Sequence, residues 1–322
     1  ADGHLHVPLS HSPEWNGNLP GAWGRNPVID LSLIRNLCLW LEESARELHL
    51  SDEVRARWKV VAESLAPYPR DPAGGLMLME GVPLSESHRH PSHLMPVFPM
   101  HDISVEGTEE DRKCIEVSLA QLERMGMGEW TGWSFPYVSL IASRVGRARM
   151  AEYMLKLYIE SFVLPNGCHA NGDWRRNGIC QYHYSPFTME AECAATSAVT
   201  EMVLQSWGGT IRLFPAVPQT WRDASFHGFL AEGGIEVSAV REFGETTDVV
   251  LCSRERVEAR VVGLRGDAQW RGTASARWEN GMWIVALAAD VPARGQCRTR
   301  MTDKPKATDT RTRNVFGLRA WE

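Results

Sequence analysis

Four stretches of the chain combine reactive residue types with the Gly and Pro that build loops. Ser12-Pro13-Glu14-Trp15-Asn16-Gly17 sets a carboxylate beside an indole in a turn. His88-Arg89-His90-Pro91-Ser92-His93-Leu94 gathers three imidazoles and a guanidinium. Gly132-Trp133-Ser134 opens a helical stretch. Asn166-Gly167-Cys168-His169-Ala170-Asn171-Gly172-Asp173-Trp174 leads on to Ser185-Pro186-Phe187-Thr188-Met189-Glu190-Ala191-Glu192. Flat rings beside carboxylates suit a carbohydrate, whose C–H faces stack on aromatic surfaces while its hydroxyls bond to polar groups. The 13 tryptophans make that chemistry admissible.

The histidine cluster admits three readings. His88, His90 and His93 with an outside carboxylate could bind zinc. Against that, Arg89 puts a fixed positive charge inside the cluster, and H-x-H-x-x-H lacks the i, i+4 geometry of a helix. The others are contacts to sugar hydroxyls and carboxylates, or hydrogen bonds within a buried loop. No metal and no cofactor is expected. Trp133 is either a stacking platform or a core residue at a helix start, and His169 and His183 read as loop histidines. No Ser-His-Asp spacing, P-loop or G-x-G-x-x-G occurs, which removes support for acyl transfer and nucleotide chemistry. Seven cysteines without a C-x-x-C spacing make neither a disulfide framework nor a zinc finger. A net charge of −6 without a clustered basic face argues against nucleic acid. No apolar run is long enough to span a membrane. No apolar h-region follows residue 1, so no signal peptide is expected within the chain. The compartment stays open: extracellular or periplasmic if a preceding segment carried a signal, cytoplasmic otherwise.

Periodicity supplies the elements that must hold these loops. Leu31, Ile34, Leu37, Cys38, Leu41, Ala45 and Leu48 recur at spacings of three and four, predicting a helix over 30–50. Val54, Trp58, Val61 and Leu65 predict a second, stopped by Pro67 and Pro69. Ile115, Leu119, Leu122 and Met125 predict a third, with Thr108 and three acids at its start. Two more cover 133–145 and 148–162, and a sixth begins near Ala191 and ends at Gly208-Gly209. Long Gly/Pro/His-rich loops fill 1–29, 67–107 and 163–186, and loops of that length are usually functional. Beyond Gly209 the texture becomes strand-like at 211–213, 235–239, 249–252, 257–262 and 282–286, with Asn280-Gly281 as a hairpin turn. The expected domains are 1–208, helical; 209–300, an antiparallel β-domain; and 301–322, a polar tail.

The collinear run SPEW, HRHPSHL, GWS, SPFTMEAECAATSAVTEMVLQSW, IRLFPAVPQTW and GFLAEGGIEV resembles glycoside hydrolase family 95, which holds α-L-fucosidases and related α-L-galactosidases. The resemblance covers roughly residues 9 to 240. It implies a mainly α fold followed by an all-β one: a partial (α/α)6 barrel, with about half of the helices, and a C-terminal antiparallel β-domain. The missing N-terminal half of the barrel, with the family's Asn-x-Asn motif, is expected to lie upstream. Such a chain alone is expected to be poorly stable and inactive, exposing Leu31, Ile34, Leu37 and Leu41.

Glycoside hydrolysis needs two carboxyl groups, one protonated and one ionised. The resemblance gives inverting chemistry with Glu14 as general acid, its pKa raised by an apolar wall from Trp15. The family's Asp aligns with Glu190 and its following Asn with Glu192. Glu190 becomes the expected base, with Asp173 in reserve; both glutamates also suit the dipole of a helix N-terminus. The expected substrate-binding set is Trp15, Asn16, His88, Arg89, His90, His93, Trp133, Trp174 and Glu192. The expected partner is an oligosaccharide or polysaccharide with a terminal α-linked L-fucose or L-galactose. Competing readings are a carbohydrate-binding homologue without turnover and a polysaccharide lyase using a Tyr/His base near Tyr182-His183-Tyr184.

Overall fold

In a computed structural model, which describes residues 2–297, six helices precede a set of strands, as the resemblance implies. The helices are α1 (Val28–Glu47), α2 (Asp52–Ser64), α3 (Glu109–Met125), α4 (Ser134–Arg144), α5 (Ala148–Phe162) and α6 (Glu190–Val203). The polar tail expected at 301–322 lies outside the described residues. The chain divides into two compact units. One is Ala1–Ile141 with Leu157–Glu192, and the other is Ala142–Lys156 with the chain from Cys193 onward.

In the first unit, α3 shows why the sequence was readable. Thr108 Oγ1 accepts from the Asp111 amide at 3.1 Å while the Asp111 carboxylate accepts from the Thr108 amide at 2.9 Å. That reciprocal pair satisfies two donors otherwise orphaned at a helix start. Behind it Ile115, Leu119 and Leu122 are buried. α1 departs from the expected pattern. Leu31 is fully buried in a cluster with Leu65 and Ala66, and the open stripe is instead Leu33, Leu37 and Trp40, at 42 %, 54 % and 51 % exposure. Strands β1 (Ser10–His11) and β2 (Trp23–Gly24) pair antiparallel, closing the segment that carries Glu14.

The second unit holds two five-stranded sheets. Their strands are β3 (Leu204–Trp207), β4 (Thr210–Leu213), β5 (Ala224–Ala231), β6 (Ile235–Glu242), β7 (Glu245–Ser253), β8 (Val257–Val262), β9 (Gln269–Arg271), β10 (Ser275–Glu279), β11 (Met282–Leu287) and β12 (Ala293–Gln296). The orders are β10-β11-β8-β4-β3 and β5-β6-β7-β12-β9. Pairing is antiparallel except between β4 and β8, which run parallel, so the first sheet is mixed. Val237, Ala239, Val249, Leu251, Val261 and Val285 alternate inward and form the core. Asn280-Gly281, both at positive φ, make the two-residue turn between β10 and β11. The sixth helix ends earlier than its apolar spacing suggests, at Val203, and Leu204 begins β3 directly. Gly208 and Gly209, at φ 62° and 71°, turn the β3–β4 hairpin rather than capping the helix.

Candidate active site

Glu14 is placed by its backbone. It sits at φ 56°, in the left-handed region, just before a short 3-10 turn over Trp15–Asn18. That conformation is uncommon for a residue with a Cβ and signals local constraint. The constraint comes from the histidine loop: His88 Nε2–H donates to the Pro13 carbonyl at 3.0 Å, and the hydroxyls of Ser12 and Ser92 bond to each other.

Its carboxylate turns toward that loop. Arg89 Nε donates to Glu14 Oε2 at 2.7 Å and Nη2 lies 2.5 Å from the same oxygen. His90 Nε2–H donates to it as well, at 2.7 Å. Partial burial pushes the carboxyl's proton affinity up, but the His90 hydrogen bond and the Arg89 charge outweigh it and hold the group below the usual carboxylate range. The expected rise does not occur, and Trp15 is buried with its ring edge-on to His88, 5.2 Å between centroids. Burial pulls His88 down to about 4 and His93 to about 3, and it also lowers His90. The three imidazoles are therefore neutral at pH 7.

The other motif loops join the same hydrogen-bonded fabric. Ser134 Oγ donates to the Arg89 carbonyl at 2.8 Å, and the Glu129 amide donates to Ser87 Oγ at 3.0 Å. The Gln181 amide reaches the Gly128 carbonyl at 2.9 Å, and Gly132 N–H reaches the Asn171 carbonyl at 3.0 Å. Gly132 is bare for a reason: a Cβ there would lie 2.1 Å from Cε1 of the buried His169. His169 in turn donates its amide to Glu192 Oε1 at 2.7 Å.

Of the three candidate bases, Asp173 is fully buried. Its Oδ1 accepts from the Asn177 amide at 3.1 Å, and its Oδ2 from the Gly178 and Ile179 amides at 2.9 and 3.3 Å. Glu192 is partly buried on the His169 amide, and Glu190 is exposed as the first residue of α6. Burial lowers the His169 pKa against the opposing charges of Glu190 and Glu192, so both carboxylates act on one ring.

Set beside known proteins, residues 1–203 match the glycosyl hydrolase family 95 catalytic domain, and residues 205–273 match the family's C-terminal domain. The chain belongs to glycoside hydrolase family 95. An alpha-L-fucosidase 2 of Arabidopsis thaliana is 26 % identical over 270 residues, which is 81 % of this chain and 31 % of that relative. A solved protein assigned as a kojibiose phosphorylase from the human microbiome covers 86 % of this chain, and the match takes in 40 % of its own chain. Its TM-score is 0.42 and its identity 9 %, too remote to inform the chemistry.

In this family 95 chain the remaining expected residues have surroundings of their own. Trp133 stacks on Tyr137 at 5.0 Å and is only partly buried. Trp174 donates its indole N–H to the Val163 carbonyl at 3.2 Å, under the Arg175 guanidinium. Asn16 is exposed, whereas His93 is fully buried with neither ring nitrogen hydrogen-bonded. Among the described residues no group of three or more His, Cys, Asp or Glu is arranged to hold a metal, and no helix is long and apolar enough to cross a membrane. Sequence reasoning missed Glu129. Its carboxylate accepts from the Tyr182 hydroxyl at 2.6 Å and from the Gln181 amide, and it raises the Tyr182 pKa. The signal was present, since Glu129-Trp130 repeats the Glu14-Trp15 pairing just before Gly132-Trp133-Ser134.

Proposed function

We propose that this family 95 chain carries a site for inverting hydrolysis of a terminal α-linked sugar of the L-fucoside or L-galactoside type. In this reading Glu14 gives a proton to the departing glycosidic oxygen. Glu190 takes a proton from the water that attacks the anomeric carbon from the opposite face. The observation that supports it best is Glu14 itself: a half-open carboxylate, fixed by strained backbone, with Arg89 and His90 as its partners. Arg89 and His90, both partly exposed beside Glu14, then hold sugar oxygens. Asp173 closes its own loop and Glu192 fixes the His169 backbone, which leaves Glu190 as the carboxylate free to act on water. The lyase reading loses support because the Tyr182 phenol already donates to Glu129 and is harder to ionise, a poor starting point for a base.

The test is hydrolysis of an aryl α-L-fucoside and an aryl α-L-galactoside, with the first-formed anomer read by proton NMR. The expected product is the β anomer, and Glu14→Gln should cut turnover by about 10²-fold or more. Undiminished turnover in Glu14→Gln would end the assignment. One observation favours a second reading, a sugar-binding relative without turnover: the resting Glu14 is held ionised, and an ionised carboxyl gives no proton. Sugar binding by calorimetry with no turnover of either glycoside would decide for it.

A further inference from the structure

Among the described residues the Glu14 side chain is bonded through a single oxygen. Arg89 Nε and Nη2 and His90 Nε2 all converge on Oε2, at 2.7, 2.5 and 2.7 Å. Oε1 has no protein partner among the described residues, and the side chain is 45 % exposed. An oxygen that receives two nitrogens of one fixed cation and an imidazole N–H is that of a carboxylate. Any proton the group takes up must therefore enter at Oε1. His90 cannot supply it, because a neutral imidazole that surrendered its Nε2 proton would become an anion. The charged and titratable groups acting on Glu14 are Arg89 and His90 directly and His88 at longer range, all from the one loop.

The main chain of that loop is pinned by bonds that do not involve the Arg89 guanidinium, which is held by Glu14. Ser134 Oγ holds the Arg89 carbonyl, Ser87 bonds to Glu129 and Gly126, and Ser92 bonds to Ser12. The Arg89 side chain is 30 % exposed. Because the bonds that fix the loop leave the guanidinium out, releasing it from Oε2 asks only for a change of side-chain rotamer.

Resting on the reading of Glu14 as the acid, we infer that Arg89 gates its protonation. While the guanidinium sits on Oε2, Glu14 stays ionised; when sugar oxygens take over the guanidinium's donors, Oε1 can bind a proton. That proton comes from hydronium, which leaves as water. In the reaction it passes from Oε1 to the glycosidic oxygen, which departs with the electron pair of the broken C–O bond. Glu14 is then a carboxylate again, and Arg89 returns to it. The acid is armed only in the presence of substrate, so an empty site holds no acid to protonate stray nucleophiles.

The experiment is a pH titration of the Glu14 side-chain carboxyl by carbon-13 NMR on the full chain, assigned with Glu14→Gln. It needs no turnover. Removing a contacting guanidinium from a carboxylate raises its midpoint by about one pH unit or more, so Arg89→Gln should titrate that much higher than the wild type. Saturating L-fucose, its binding read separately by calorimetry, should raise the wild-type midpoint and leave that of Arg89→Gln where it is. Equal midpoints in wild type and a folded Arg89→Gln overturn the gate. So does bound fucose that leaves the wild-type midpoint unmoved, an arm that stands even if the variant does not fold. Failure of the acid assignment looks different: Glu14→Gln would keep its turnover while both midpoint shifts remained.

Discussion

Arg89 and His90 reach Glu14 at one carboxylate oxygen, which leaves its other oxygen to solvent. The Ser-Pro-Glu-Trp and His-Arg-His motifs identified Glu14, Arg89 and His90, and the structure brings all three onto one oxygen. The direction of the Glu14 shift was not legible, because an indole next in sequence need not be next in space. Trp15 turns to the interior and a guanidinium 75 positions away takes its place. His93 and His88 carry a pH dependence of their own. Unfolded histidine binds a proton near pH ~6.5, whereas folded His88 and His93 do so only near 4 and 3. Below ~6.5 the unfolded chain therefore binds more protons, and stability falls with falling pH until the folded values are reached. Urea midpoints should be level above about pH 7. They should drop between about 6.5 and 4, at up to about 1.4 kcal/mol per pH unit for each histidine. His88→Gln should make that limb shallower; an unchanged slope would mean that His88 titrates normally in the fold.

Elements were legible wherever burial is one-sided. The first three helices follow from spacings of three and four, and α3 also from its acidic, Thr-capped start. Strands β6, β7, β8 and β11 follow from alternation or apolar runs. β3 does not, because Leu204 and Trp207 extend the apolar stripe of α6 and look like one more helical turn. β5 is interrupted by a bulge at Gly228, β9 has three residues, and β10 is exposed at every residue but Ala276, so none shows a period of two. The turn before α4 supports a sharper prediction. The ring of His169 occupies the space where Gly132 has no Cβ, and Phe162 closes the other side. Gly132→Ala must push two buried rings, and overpacking of this kind should cost about 2 kcal/mol or more. Chemical denaturation measures it, and a loss under about 0.5 kcal/mol would show that the turn yields.

At the scale of the whole molecule, the resemblance carried the order of domains further than composition did. What it could not carry was which face of α1 stays open. Counting every apolar residue on the helix merges two stripes, and only the one through Leu31 is buried. Leu33, Leu37 and Trp40 form the other, at spacings of four and three along the surface. Contiguous apolar surface of this kind draws dyes and other molecules. Leu37→Glu with Trp40→Glu should therefore reduce binding of an apolar fluorescent dye and self-association in sedimentation. It should change stability by no more than about 0.5 kcal/mol. A loss of several kcal/mol would mean that the stripe is packed after all.

The serine and glycine contacts that tie the motif loops together have a consequence for time rather than for energy. Ser12 holds Ser92, Ser134 holds Arg89, Ser87 holds Glu129, and Gly132 holds Asn171. Each loop finds its partners in the other loops, so none can lift away alone. Opening is then expected to be concerted, with the amides of these loops exchanging with solvent as one unit in a hydrogen-exchange experiment.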